Sequence, residues 1–144
     1  MTLEDIISTL ELKPHPEGGH YAETHRIPDP HDHGHRSPGT AIYYLLAEGE
    51  RSHWHKVDAT EIWHFYAGDP LELSLAVTDK SKVKTRILGA DLAAGQRPQL
   101  VVPPHHWQAA RTLGAWTLVG CTVSPGFEFS GFTMAPPGWA PGQN

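Results

Sequence analysis

After residue 20 the chain is cut at short intervals by turn-forming residues, and this punctuation constrains the fold more than any other feature. The 144 residues include 14 glycines and 13 prolines. They separate brief runs rich in β-branched and aromatic side chains: GHYAETHR, TAIYYLLAEG, HWHKV, EIWHFYAG, LELSLAV, VKTRILG, QLVVPP, HWQAAR, AWTLVGCTV and FEFSGFTMA. Runs this short, bounded by Gly, Pro and Asp, read as strands. About nine strands at such spacing, without an internal helix, predict an all-β sandwich or barrel. No repeat or linker divides the chain, so one domain over residues 1–144 is expected.

The one expected helix is at the start. Thr2 and Asp5 have capping-box spacing, and Leu3, Ile6, Ile7 and Leu10 then fall on one helical face. KPHPEGG ends it, because two prolines and a glycine pair cannot continue a helix. The formal charge of −5 gives no reason to expect nucleic acid as a partner. Lys80, Lys82 and Lys84 read as a solvated turn and edge strand. The single cysteine, Cys121, lies in an apolar run and reads as an inert core thiol. There is no signal-peptide pattern at the start and no apolar stretch near the ~20 residues that span a bilayer, so a cytoplasmic protein with no membrane partner is expected.

Polar chemistry concentrates in HWHKVDATEIWHFYAG, residues 53–68. On a regular strand, side chains two apart share a face, so His53 and His55 should point the same way. Glu61, Trp63 and Phe65 should share a face of the following strand, with His64 on the other, in a sheet-packing or interface role. If the two strands pair antiparallel, Glu61 lies near both histidines. Two imidazoles and a carboxylate can hold a divalent transition metal such as Fe, Ni, Mn or Zn. A third patch, VVPPHHWQAAR, brings His105, His106 and Gln108 onto a strand whose facing is left open. The loop RIPDPHDHGHRSPG has alternating His31, His33 and His35, which read as a solvated loop able to chelate metal adventitiously. In PHPEGG, Gly18 and Gly19 allow positive φ, so Glu17 can be carried on a loop over a cavity mouth.

These segments resemble the cupins. Gly49, His53, His55, Glu61 and Gly68 follow the first cupin motif, with six residues between Glu61 and Gly68, and Gly95, Pro103 and Gln108 follow the second. The chain is similar over roughly residues 12–132 to a small uncharacterised cupin group marked by PHPEGGHYAET, TAIYYLL, EIWHFYAGDPL and WTLVGCTVSPGF. The resemblance implies a double-stranded β-helix (jelly roll), commonly a homodimer, with a ligand cavity between its sheets. It also implies a metal set of His53, His55, Glu61 and Gln108. The spacing departs from the motifs: three residues separate Gly49 from His53, five separate His55 from Glu61, His105 replaces a glycine, and Gln108 stands where the fourth ligand is a histidine. The same group is similar to the metal-free dTDP-4-dehydrorhamnose 3,5-epimerases, which use a His base and a Tyr acid. Here the stretch expected to carry that tyrosine, CTVSPGFE, has none.

Three functions fit. The first is an isomerase- or epimerase-like enzyme acting on a small polar carbonyl or sugar-like substrate. In it His55 is the base, Glu61 orients it or acts as acid, and Tyr44 or Tyr21 lies near the substrate. Arg26, Arg51 and Arg111 are then candidates for an anionic substrate group. The second adds the metal as a Lewis acid. The third is a non-catalytic module that binds or senses a metabolite with Glu17, Tyr21, His53, Trp63 and Gln108, in a pocket lined by Trp54, Trp63 and Trp107. A hydrogen-bond network retained only for fold specificity is the competing structural explanation.

Overall fold

The computed structural model describes residues 1–29 and 35–142. His31 and His33 lie outside them. His35 is inside, where its backbone N–H donates to Asp29 Oδ2 at 3.1 Å.

Helix α1 (Leu3–Thr9) forms where the capping box placed it: Thr2 Oγ1 accepts from the Asp5 N–H, and Asp5 Oδ2 accepts from the Thr2 N–H. Such a reciprocal cap satisfies two donors that the first turn cannot pair internally. Ile6 packs against Leu12 and Leu45, joined by Leu3, Ile7 and Leu10.

The described residues form eleven strands: β1 (Lys13–Pro14), β2 (His20–Arg26), β3 (Thr40–Ala47), β4 (Ser52–Val57), β5 (Thr60–Gly68), β6 (Leu71–Ala76), β7 (Lys84–Leu88), β8 (Gln99–Val102), β9 (Trp107–Thr112), β10 (Trp116–Ser124) and β11 (Phe132–Met134). They make two antiparallel sheets, in the order β1-β2-β3-β10-β5-β8 and β11-β4-β9-β6-β7. The non-sequential neighbours give the double-stranded β-helix that the sequence implied. FEFSGFTMA contributes less strand than expected. Only Phe132–Met134 pairs, after a short 3-10 turn at Phe129–Gly131, and a second such turn covers Leu92–Ala94.

One expectation about pairing is corrected. β4 and β5 are consecutive but not hydrogen-bonded to each other: β4 lies between β9 and β11 in one sheet, β5 between β10 and β8 in the other. The chain crosses between sheets at Asp58–Ala59, so residues of the two strands meet across the barrel.

Alternation then sorts the side chains. Tyr44, Leu46, Trp63, Leu73, Leu100, Val102 and Val119 fill the space between the sheets. Each fully buried large side chain there contributes about 1.5–3 kcal/mol relative to exposure. Trp54 and Trp107, expected to line the pocket, instead lie outside the second sheet with Ala76, Ala109 and Ala135. Trp139 covers them there, its ring centroid 4.5 Å from that of Trp107. His64 is on the outer face of the first sheet, its Nε2 3.0 Å from Thr122 Oγ1.

Candidate active site

A β-bulge decides which histidine enters the interior. Ser52 pairs with Ala110 and His55 with Gln108, so three steps along β4 match two along β9. The extra residue breaks the two-residue alternation. Ser52, His55 and Val57 face inward, and His53 does not share the face of His55. Its Nε2 lies 2.9 Å from the Pro136 carbonyl, away from the cavity. The His53 backbone serves the site instead. Its N–H donates to the Glu17 carbonyl at 2.8 Å, and its carbonyl lies 2.7 Å from His55 Nδ1.

That last contact assigns the His55 tautomer. A carbonyl only accepts, so Nδ1 carries a hydrogen. Nε2 is 3.2 Å from Glu17 Oε2, and both side chains are almost fully enclosed. The two atoms share one proton, held as a neutral acid–imidazole pair or as a carboxylate–imidazolium pair. Burial pushes the Glu17 carboxyl up and the His55 imidazole down, so the neutral pair is favoured. Ser52 Oγ donates to the other Glu17 oxygen at 2.8 Å.

Glu17 reaches this position because Gly18 and Gly19 follow it. The Tyr44 hydroxyl donates to the Gly18 carbonyl, and φ is +113° at Gly18 and +75° at Gly19. A Cβ on Gly18 would stand 1.8 Å from the Arg51 carbonyl oxygen. The loop thus seats Glu17 in the buried end of the site, not over its mouth. Gly18→Ala is expected to cost about 2 kcal/mol or more in thermal or urea unfolding, because strain and collision must both be relieved.

Glu61 arrives from the opposite sheet. Its Oε1 accepts from Gln108 Nε2 at 2.8 Å, and Gln108 Oε1 accepts from Trp63 Nε1 at 2.8 Å. An indole N–H can only donate, so the amide oxygen faces Trp63 and the amide nitrogen faces Glu61. Burial pushes the Glu61 carboxyl up to about 7, opposed by His55 and by hydrogen bonds from Gln108 and Cys121. The Cys121 thiol, buried beside it, is pushed well up and stays protonated. Trp63→Phe leaves the fully buried Gln108 oxygen without a donor. It should lower stability by about 1–3 kcal/mol and raise the Glu61 midpoint further as the amide turns away, which urea unfolding and carboxyl titration would show.

His55, Glu17 and Glu61 meet in a cavity of about 420 Å³, which Tyr21, Tyr44 and Cys121 also line. The volume falls within the ~300–1,000 Å³ of small-molecule sites. Trp63 and Gln108 form the layer behind Glu61, and His53 is outside. Arg26 lies at the mouth, held by Glu23 through contacts of 2.6 and 3.3 Å. Arg111 is paired with Glu72 between β9 and β6, and neither it nor Arg51 lines the cavity.

The expected metal set is not assembled. Among the described residues no three His, Cys, Asp or Glu side chains are grouped to hold an ion. The bulge removes His53, and Gln108 presents its amide nitrogen, a donor group, where a ligand oxygen would be needed. The residues present therefore do not fit a cupin metal centre.

The sequence reading missed His15. Its Nδ1 accepts the Glu17 backbone N–H at 3.1 Å, and its ring stands edge-on to Tyr21 at 4.5 Å. Burial lowers its pKa, so the ring is neutral and its hydrogen is on Nε2. Phe127, Phe129 and Phe132 at the mouth were also missed. The only local signal for His15 was its place two residues before Glu17 in a glycine turn. Phe127 and Phe129 alternate, with Phe132 three residues on, in a segment that reads equally well as a strand.

Residues 4–135 match the family Cupin_5, described as Cupin superfamily (DUF985). A solved structure from Shewanella oneidensis is similar at 39% identity and TM-score 0.87, covering 94% of this chain and 85% of that one. A hypothetical protein from Leishmania major is similar at 30% identity and TM-score 0.83, covering 94% and 88%. A dTDP sugar isomerase from Desulfovibrio desulfuricans G20 shares the fold at 14% identity and TM-score 0.60, covering 88% of each chain. No curated protein matches the chain.

Proposed function

We propose that this chain, which belongs to the Cupin_5 (DUF985) family of the cupin superfamily, is an isomerase-like enzyme that moves a proton alpha to the carbonyl of a small molecule held in the barrel. The observation that carries the reading is the buried 3.2 Å contact between Glu17 Oε2 and His55 Nε2, which calls for one proton between them, set opposite a Glu61 carboxyl that burial pushes up to about 7. Proton transfer is fastest when the catalytic pKa lies near the working pH, and a buried carboxyl at about 7 meets that condition.

Both His55 nitrogens are engaged, so the base role falls to Glu61. Ionised, Glu61 takes the proton from the carbon, and the C–H electron pair moves onto the carbonyl oxygen. The neutral Glu17–His55 pair holds the proton that is returned, either to the same carbon from the other face or to a neighbouring atom. Glu61 then loses its proton to solvent as the pair regains one, so protons balance and no oxidant or reductant is needed. Tyr44, whose hydroxyl is committed to Gly18, positions the Glu17 loop.

The fold similarity to a sugar isomerase is compatible with this reading but does not carry it. The test is a screen of small ketones, aldehydes and keto acids in D2O, read by proton NMR. Enzyme-dependent deuterium uptake at the alpha carbon is the expected result. Tight binding of compounds that never exchange would instead indicate a binding module.

A further inference from the structure

We infer that the substrate of this site is an uncharged carbonyl compound with a flat apolar body, its oxygen held by His15 Nε2–H and its body lying against the phenylalanines of the mouth. The inference rests on reading the cavity as the active site and adds the substrate class to it.

The deep end supplies the oxygen contact. Because the Glu17 backbone N–H occupies His15 Nδ1, the neutral ring carries its hydrogen on the opposite nitrogen, Nε2. That atom has no hydrogen-bond partner among the described residues, although no fully buried side-chain polar atom lacks one. His15 lines the cavity, and an Nε2 without a partner is not fully buried, so we take its exposed side to be the cavity. A neutral imidazole placed there donates to a carbonyl oxygen and strengthens its hold as charge develops on that oxygen. His15 also adjoins Glu17 through its sequence, so the oxygen would sit beside the proton store.

The outer half supplies the apolar contact. From the mouth inward the ring centroids follow one another: Phe127 to Phe129 at 5.0 Å, Phe127 to Phe132 at 5.7 Å, Phe132 to His55 at 5.4 Å and to His15 at 6.3 Å. Ile42, Val57 and Val123 complete the lining. Phe129 is 59% exposed, an aromatic surface left open at the entrance. Aromatic walls of this kind bind flat rings edge-on or offset.

Charge argues against an anionic substrate. The lining holds Lys13 and Arg26 against Glu23 and Glu128, with Glu17 neutral in its pair and the Glu61 carboxyl pushed up to about 7. Arg26 is already committed to Glu23 and, at 3.0 Å, to the Phe127 carbonyl. Lys13 Nζ stands 5.6 Å from the centre of the Tyr21 ring. No excess positive charge remains for a phosphate, which distinguishes the site from one built for a sugar nucleotide.

The experiment uses four probes on the full chain: acetophenone, ethylbenzene, phenyl phosphate and D-glucose, with binding followed by NMR shifts of the cavity aromatics. Acetophenone should bind at least tenfold more tightly than phenyl phosphate or glucose. Phe132→Ala, and the milder Phe132→Leu should the first fail to fold, should weaken acetophenone about tenfold. His15→Phe should weaken acetophenone severalfold and leave ethylbenzene, which lacks the oxygen, nearly unchanged. Phenyl phosphate or glucose binding as tightly as acetophenone, or His15→Phe weakening both aromatic probes equally, would overturn the inference. The acetophenone methyl protons are alpha to its carbonyl, so the same samples in D2O separate the two readings. Binding without exchange defeats the proton-transfer function and leaves the substrate class standing.

Discussion

Glu61→Gln is expected to lower alpha-proton exchange by about 10²–10⁴-fold, the usual worth of a general base, while making the protein more stable at alkaline pH. The two effects have one cause. The folded protein holds the Glu61 carboxyl at about 7 against an ordinary value of 4.5, so it binds that proton more tightly than the unfolded chain does. The resulting stability is complete below the ordinary value, is lost as pH rises from 4.5 to about 7, and is constant above that. Glutamine never ionises and keeps the hydrogen bond from Gln108. Relative to the natural protein the variant should gain little at pH 4 and roughly 3 kcal/mol at pH 8. Urea unfolding at the two pH values measures the gain. An inactive variant with unchanged pH dependence of stability would separate catalysis from burial and contradict the account.

His55→Leu should have the opposite effect on stability and a comparable effect on rate. The substitution leaves Glu17 Oε2 buried without its partner at 3.2 Å and keeps only the Ser52 hydrogen bond to the other oxygen. A neutral Glu17 hydroxyl then lacks an acceptor, which costs about 1–3 kcal/mol. The penalty grows with pH, because the one proton held at this site costs the variant stability from the ordinary glutamate value upward. It costs the natural protein only above the ordinary histidine value, below which its unfolded chain carries a proton on His55. The variant should therefore be destabilised modestly at pH 5 and more at pH 8, with exchange reduced at least about a hundredfold. Equal destabilisation at both values would mean that Glu17 ionises in the folded variant and would contradict burial as the force that holds it protonated.

The alternating runs and their Gly and Pro boundaries were enough to read the strands, the initial helix and the facing of β5, where Glu61 and Trp63 point inward and His64 outward. Those features follow from local periodicity. The exchange of His53 for its own backbone in the site could not be read, because a bulge leaves no mark in a segment such as SHWHKV. Its register is set by β9, more than fifty residues away in sequence. The same holds for Gln108. Its residue type fits a ligand position, but its orientation is imposed by Trp63, a donor that the strand pattern placed on the right face without showing what it meets. Glu17 was legible through its two glycines, though as a mouth residue. The close approach that leaves no room for a side chain at Gly18 is to the Arg51 carbonyl, on a distant loop. The expected metal site failed for these reasons together: the motif residues are present, but strand geometry and hydrogen bonding direct their donor atoms elsewhere.

The most direct test of the central claim, that Glu17, His55 and Glu61 form one proton-holding unit at neutral pH, is an NMR titration of protein labelled at the glutamate carboxyls and histidine nitrogens. The account predicts one glutamate carboxyl with a midpoint near 7, absent from Glu61→Gln, and a His55 ring that remains neutral with its hydrogen on Nδ1 through that range. Glutamate carboxyls that all titrate in the ordinary range near 4.5, together with a His55 imidazolium at pH 7, would contradict it.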